Sequence, residues 1–351
     1  MDIGRIVHEL PPSGNNTRNS EGSFITLTDG RIRFIYSRFD ADNSHDDANA
    51  DIAEIVSADG GETWDSPRIL FTASGCGAKN LMSVSLLRLK SGEIGLFYLV
   101  RNGWHDTRII LRRSKDEGET WSDAQYCMDD LGYHVVNNDR VIMLSSGRLL
   151  IPAAIHPNGT YDGWTTVRGD SFNAFYLSDD DGRTWRQSRG MVSMYCSENP
   201  CGLQEPGVVE LPGGALWGYS RTSLGRHYEF FSLDCGETWT QAQPSQFTAP
   251  PSPLQIKKSP YDSRLCAVWN PIPNYQTRVD KSGWGRNPLV LAFSDGGMKF
   301  SEPVILENAP KTGYCYPAVH YLPDSILLAY CAGSESDGGC LNRIAIRKLP
   351  L

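Results

Sequence analysis

The sequence predicts an all-β protein, a six-bladed β-propeller of four-stranded antiparallel blades built as one domain from residues 1–351. Two repeats and one missing periodicity carry that prediction. The first repeat is an eight-residue turn, "SADGGETW" from Ser57 to Trp64, which returns as "SKDEGETW" from Ser114, "SDDDGRTW" from Ser178 and "SLDCGETW" from Ser232. The copies are 57, 64 and 54 residues apart, and self-similarity at such a period is the mark of a propeller or solenoid. The second repeat is a turn followed by an apolar run: "DGRIRFIYSR" (29–38), "SGEIGLFYLVR" (91–101), "SGRLLIPAAIH" (146–156), "GGALWGYSR" (213–221), "DSRLCAVWN" (262–270) and "DSILLAYC" (324–331), which makes six units. No long stretch has apolar residues at a 3.6-residue period, which leaves little room for helices.

Each unit can be read strand by strand. A short β-type run such as "GSFITLT", "SVSLLRL", "DRVIML" or "GVVEL" precedes each turn, so the unit opens with a hairpin. The third strand runs into the Ser-x-Asp box, as in "ADIAEIVSADGGETW". Four strands of five or six residues with turns need on the order of 40 to 50 residues, so each unit holds one blade. In the box, the Asp carboxylate accepts backbone N–H bonds, the Gly supplies a positive φ, and the Trp packs between sheets. "SDGGMKF" at Ser294 is a decayed copy with Phe300 in place of Trp.

Composition narrows the function. Nine scattered cysteines show no disulfide or zinc spacing, which fits a reducing compartment with most of them as small buried hydrophobes. None of the seven histidines has a metal-ligand spacing, so neither a metal nor a cofactor is expected. A net charge of −8 argues against a nucleic-acid surface. No apolar run is long enough for a membrane span. "MDIGRIVHELPPSG" lacks a secretory leader, which points to the cytoplasm unless a leader has been trimmed. Composition leaves the oligomeric state open.

The inner strands of a propeller converge on one mouth. Nine positions before Gly30, Gly92, Gly147, Gly214 and Ser325 stand Glu21, Ser83, Asn138, Glu205 and Tyr316, a polar set where a core strand has no need of one. The second strand of each hairpin returns to the same end and delivers Arg38 and Arg221. Glu205 and Arg221 are near neighbours across an antiparallel pair, as an ion pair or as part of a site. "HVVNNDRVIML" adds Asn137, Asn138, Asp139 and Arg140, as sugar contacts or as a strand-entry turn.

The boxes together with Glu205 in "EPGVVELPGG", Arg221, Arg286 in "GRNPLVLAFS" and Tyr316 in "YPAVHYLPDS" resemble the sialidase superfamily over nearly the whole chain. The resemblance implies an exo-glycosidase releasing a terminal carboxylate-bearing sugar from a sialoglycoconjugate, with retention. Arg18, Arg221 and Arg286 would hold the carboxylate, a task that suits planar, permanently charged guanidinium groups. Tyr316 would be the nucleophile and Glu205 its base, the tyrosine exception to two-carboxylate glycosidases. Asp46 in "DADNSHDDANAD" would be the general acid, with Asp47 as its neighbour and rival. Arg278 competes with Arg286. Tyr314, two residues from Tyr316 and so on the same strand face, becomes a pocket wall.

Two features depart from the family pattern. "NSEG" follows Arg18 and brings Glu21 beside the arginines, where it would neutralise one of them or contact a sugar hydroxyl. Cys331 stands where a triad-bracing Glu is common. These departures keep two alternatives open: a glycosidase or lyase on another acidic sugar, and a non-catalytic propeller that binds glycans or proteins.

Overall fold

The computed structural model describes residues 2–40, 43–161, 164–194, 199–273 and 283–351. The chain is all-β, with short 3-10 turns as its only helical pieces among the described residues. Strands follow one another as antiparallel meanders. The first comprises Arg18–Thr26, Ile32–Phe39, Ala50–Ser57 and Arg68–Phe71, and the second Asn80–Arg88, Ile94–Gly103, Asp106–Ser114 and Gln125–Tyr126. The third has an interrupted inner strand, Tyr133–Val135 and Ile142–Met143, followed by Leu149–His156, Phe172–Ser178 and Arg186–Gln187. The fourth is Gln204–Glu210, Leu216–Arg221, Arg226–Ser232 and Gln243–Thr248, and the fifth Gln255–Lys258, Leu265–Trp269, Leu289–Ser294 and Val304–Glu307. The sixth joins Cys315–Tyr321, Ser325–Cys331 and Ile344–Pro350 to the N-terminal strand Arg5–Leu10.

One detail departs from six separate sheets. Single parallel pairs, Ala50 with Asn80 and Thr107 with Tyr133, join the first three meanders into one 13-stranded sheet, whereas the last three remain four-stranded. An added hairpin, Asn158–Tyr161 with Trp164–Val167, extends from the third meander.

Strand alternation explains the packing. Successive side chains point to opposite faces, so a middle strand feeds two cores. Ile32, Phe34 and Tyr36 pack with Ala318, Leu327 and Ile346 of the sixth meander, while Ile35 packs with Leu81, Leu86 and Leu96 of the second. Leu265, Ala267 and Trp269 likewise face the fourth meander, and Cys266 and Val268 face the sixth. Each fully buried aliphatic side chain contributes about 1.5–3 kcal/mol, which is why these strands are apolar on both faces.

The Ser-x-Asp boxes tie the outer turns. Asp59 accepts the backbone N–H groups of Glu62 and Thr63 and the Thr63 hydroxyl, and Ser57 Oγ donates to Asp59 while accepting from Gly61. These hydrogen bonds hold the Asp59 carboxyl well below its ordinary pKa. Each box aromatic packs against the core shared with the preceding meander: Trp121 on the first, Trp185 on the second, Trp239 on the third and Phe300 on the fourth. The decayed copy has lost its Asp cradle but keeps this packing role through Phe300. Among the described residues, no helix is long and apolar enough to cross a membrane.

Candidate active site

The inner strands carry a backbone feature that aims polar side chains out of the sheets. Glu21, Ser83, Asp139, Glu205 and Tyr316 all have positive φ, between 51° and 61°. A left-handed non-glycine residue costs on the order of 1–3 kcal/mol and persists where the surroundings enforce it. Four of them fall in register shifts of the inner strands, between Ser20 and Ser23, Met82 and Ser85, Gln204 and Gly207, and Cys315 and Ala318. A bulge re-aims its side chain, and in four cases the residue is the one expected nine positions before the turn. In the third meander it is Asp139, one residue later than Asn138.

Glu21, Ser83, Glu205 and Tyr316 line one cavity of about 290 Å³ together with Asp46, Arg101, Tyr133, Asn137, His156, Gln204, Arg221 and Arg286. The Tyr316 hydroxyl donates to Glu205 Oε1 at 2.8 Å, and Arg221 Nη1 contacts the same oxygen at 2.8 Å. Glu205 Oε2 is buried without a partner among the described residues, an acceptor that a ligand hydroxyl can fill. Arg221 lies opposite Gln204 and donates to its side chain, which fixes the guanidinium beside Glu205. The Arg286 guanidinium sits 5.4 Å from the centre of the Tyr316 ring. Burial, reinforced by the Glu205 charge, pushes the Tyr316 phenol well above its ordinary pKa despite the opposing charges of Arg286 and Arg221.

Arg18 lies behind the cavity wall. It is 1% exposed, with Nε on Ser20 Oγ at 2.9 Å, Nη2 on Glu21 Oε1 at 2.8 Å and Nη1 on Asp46 Oδ1 at 2.6 Å, and its guanidinium stacks over Phe39. Glu21 therefore neutralises an arginine as its position in "NSEG" suggested. Its other oxygen accepts from Ser83 Oγ. Burial outweighs the Arg18 charge and raises the Glu21 carboxyl to about 7. Asp46 lies on an exposed loop, its side chain 57% accessible. Loss of solvation opposes its ionisation, yet Arg18, Arg101 and Arg286 hold its carboxyl below the ordinary value. Asp47 is exposed and does not line the cavity.

Three sequence-predicted residues are placed elsewhere. Arg38, opposite Asn19, lines a separate hollow with His8 and Trp64. Tyr314 is buried in the apolar core against Tyr330, and its hydroxyl accepts from the Ala309 N–H. The left-handed turn at Tyr316 breaks the alternation that would have put the two tyrosines on one face. Asn138 is structural: its Nδ2 donates to the carbonyl oxygens of Gly22 at 2.9 Å and Tyr316 at 3.3 Å, which secures the Tyr316 bulge. Asp139 and Arg140 are also internal ties, Asp139 to Lys257, Ser23 and Gln255 and Arg140 to Tyr219 and Gln255. Arg278 falls outside the described residues.

The sequence reading missed Arg101. Its Nη1 donates to the Asp46 carbonyl at 2.9 Å, and its guanidinium lies 4.9 Å from the Trp104 ring and 5.2 Å from the Tyr133 ring. The signal was present, because Arg101 closes the run "SGEIGLFYLVR" as Arg221 closes "GGALWGYSR". Cys331 packs with Cys315 and Cys340 below the cavity. Among the described residues, no group of His, Cys, Asp or Glu is placed to hold a metal ion.

Comparison with known proteins places the chain in a family and a fold. Residues 15–328 match the model of the BNR repeat-like domain. Sialidase-4 of Homo sapiens is 23% identical over 233 residues, covering 60% of this chain and 47% of that protein. A sialidase of Paraclostridium sordellii is 25% identical over 268 residues, covering 66% and 60%. The chain thus spans about half the length of these relatives. In fold, it superposes on the intramolecular trans-sialidase of Ruminococcus gnavus with a TM-score of 0.72 at 16% identity, over 99% of this chain and 97% of that one. The chain belongs to the BNR repeat-like domain family, within the sialidase superfamily.

Proposed function

We propose that the six meanders close into a single six-bladed β-propeller and that its cavity is the active site of a retaining exo-glycosidase, which releases terminal sialic acid from sialoglycoconjugates through a tyrosyl-glycosyl intermediate. Cores shared between each consecutive pair of meanders, and between the sixth and the first, support the closure. The single observation carrying the chemistry is the contact of Tyr316, Glu205 and Arg221 around one carboxylate oxygen.

Arg221 and Arg286 receive the substrate carboxylate. Tyr316 Oη attacks the anomeric carbon as Glu205 takes its proton; a neutral phenol approaches this carbon, which already bears a carboxylate, without the repulsion an anionic nucleophile would meet. Asp46 gives a proton to the departing glycosidic oxygen. Water then attacks the same carbon, Asp46 takes a proton from it, and Tyr316 leaves with the proton held by Glu205. Asp46 must enter the reaction protonated, which the charges of Arg18, Arg101 and Arg286 disfavour. A bound substrate carboxylate offsets those charges and raises the Asp46 pKa. The test is turnover of a fluorogenic sialoside by the native protein and by Tyr316→Phe. Failure to cleave any sialoside rejects the reading, and turnover by the variant rejects Tyr316 as nucleophile.

A second reading has its own observation. Arg18 is engaged by Ser20, Asp46 and Glu21, so two of the three arginines line the cavity. That arrangement favours another acidic sugar, a uronic acid or a different keto-acid sugar, and a panel of uronides separates the two.

A further inference from the structure

The sulfur of Cys315 lies beside Arg286 and belongs to a cluster of three cysteines. Cys315 and Cys331 are directly opposite on neighbouring antiparallel strands, and Cys340 approaches from the segment before Ile344–Pro350. Their side chains are 0%, 1% and 5% exposed and form one cluster with Trp284, against which Tyr316 and Leu341 pack. Arg286 Nη1 donates to Cys315 Sγ at 3.2 Å. Cys331, opposite it on the neighbouring strand, and Cys340 pack in the same cluster as that sulfur.

Charge decides which form of Cys315 this arrangement suits. The Arg286 guanidinium only donates and is permanently charged. An ionised Cys315 gives that buried charge a counter-charge, whereas a protonated Cys315, its hydrogen directed at a neighbouring thiol sulfur, leaves it unpaired at this contact. In a buried setting the unpaired alternative is the costly one, because a guanidinium keeps its charge whatever surrounds it.

We propose that Cys315 is a positioning residue, an ionised sulfur supported by the Cys331 and Cys340 thiols that holds the Arg286 guanidinium beside the Tyr316 ring for capture of the substrate carboxylate. The proposal deepens the reading of Arg286 given above and rests on it. Burial by itself raises a thiol, and the contacts of Cys331 and Cys340 with the Arg286 charge outweigh it, bringing Cys315 well below its ordinary pKa. Burial, with the nearby Cys315, pushes the Cys331 thiol up, and the contact with Cys315 together with burial does the same for Cys340. The other groups facing the cluster are Arg18 and Glu21 toward Cys331, and Tyr316 and Glu205 toward Arg286.

The experiment compares thiolate ultraviolet absorbance at pH 7 in the whole protein, native and Cys315→Ser. The native protein is expected to exceed the variant by one thiolate, and Arg286→Met to lose the same signal. Cys331→Ser, which keeps a donor, is expected to retain it. Identical native and Cys315→Ser spectra overturn the proposal. Should Cys315→Ser not fold, acid titration of the native protein decides: a thiolate that persists below the ordinary thiol range supports it, and no thiolate at pH 7 overturns it. With a cleavable sialoside, Cys315→Ser is expected to raise KM roughly tenfold or more with a smaller change in kcat. A thiolate signal with an unchanged KM overturns the positioning role. A thiolate signal in a protein that cleaves no sialoside leaves the sulfur–arginine pair standing while the hydrolase reading falls.

Discussion

The Tyr316 hydroxyl and Glu205 Oε1 are 2.8 Å apart, although 111 residues separate them along the chain. Both sit in left-handed backbone at bulges of inner strands. The contact joins a half-buried neutral phenol to a carboxylate that can take its proton at the moment of attack. Loss of the nucleophile in Tyr316→Phe is expected to lower kcat by roughly a thousandfold or more. Glu205→Gln keeps the shape and removes the base, with an expected loss of about 10²–10⁴-fold. Steady-state kinetics on one sialoside measure both, and a near-native Glu205→Gln would remove Glu205 from the mechanism.

Asp46 and Glu21 contact the same guanidinium but differ as acids. Asp46→Asn is expected to slow glycosides with alkyl leaving groups by about 10²–10⁴-fold and to spare aryl glycosides, whose leaving oxygen needs little protonation. Leaving-group series on Asp46→Asn and Glu21→Gln check the assignment. If the selective loss appears in Glu21→Gln, the acid is Glu21.

Glu21 also links stability to pH. Its carboxyl is raised to about 7 in the fold from an ordinary 4.5, so the folded state binds the proton more tightly than the unfolded chain. Folding stability therefore falls as pH rises between about 4.5 and 7 from this group alone, by up to about 3 kcal/mol for a shift of that size. Glu21→Gln is expected to flatten that part of the profile. Denaturant melts of both proteins at pH 5 and pH 8 measure it, and parallel profiles would show that Glu21 does not carry the effect.

The boxes are expected to matter for stability and not for turnover. Trp185 packs edge-on to Phe97 of the preceding meander at 6.1 Å and donates to its own turn at Gly182 O. Trp185→Ala is expected to cost roughly 3 kcal/mol, read by denaturant unfolding, with kcat intact at temperatures where the variant stays folded. A large loss of kcat in the folded variant would place the box within the site.

Much of this was legible beforehand because it is local or repeated. Box spacing, alternation in runs such as "RIRFIYSR" and the hairpin turns depend on contacts within a unit. Counting back from the turns therefore found Glu21, Ser83, Glu205 and Tyr316. The same count gave Asn138, where the structure has Asp139 at the left-handed position, because the inner strand of that unit is interrupted. Tyr314 was placed by simple alternation, which a bulge overrides, and Arg38 by the return of its hairpin strand, which brings it to a separate hollow.

The sequence by itself determined an all-β chain of repeated hairpins with box turns and a polar set at one end of its strands. These follow from short-range rules of turn chemistry and strand period that each unit obeys alone, whereas the acid-sugar reading of that set came from the resemblance to the sialidase superfamily. The tertiary structure alone decided that Glu21 and Asp46 engage Arg18, that Arg101 supports the Asp46 loop, and that Cys315, clustered with Cys331 and Cys340, meets Arg286. Those contacts join side chains from different strands and loops, and only the packing of one meander on the next sets their distances.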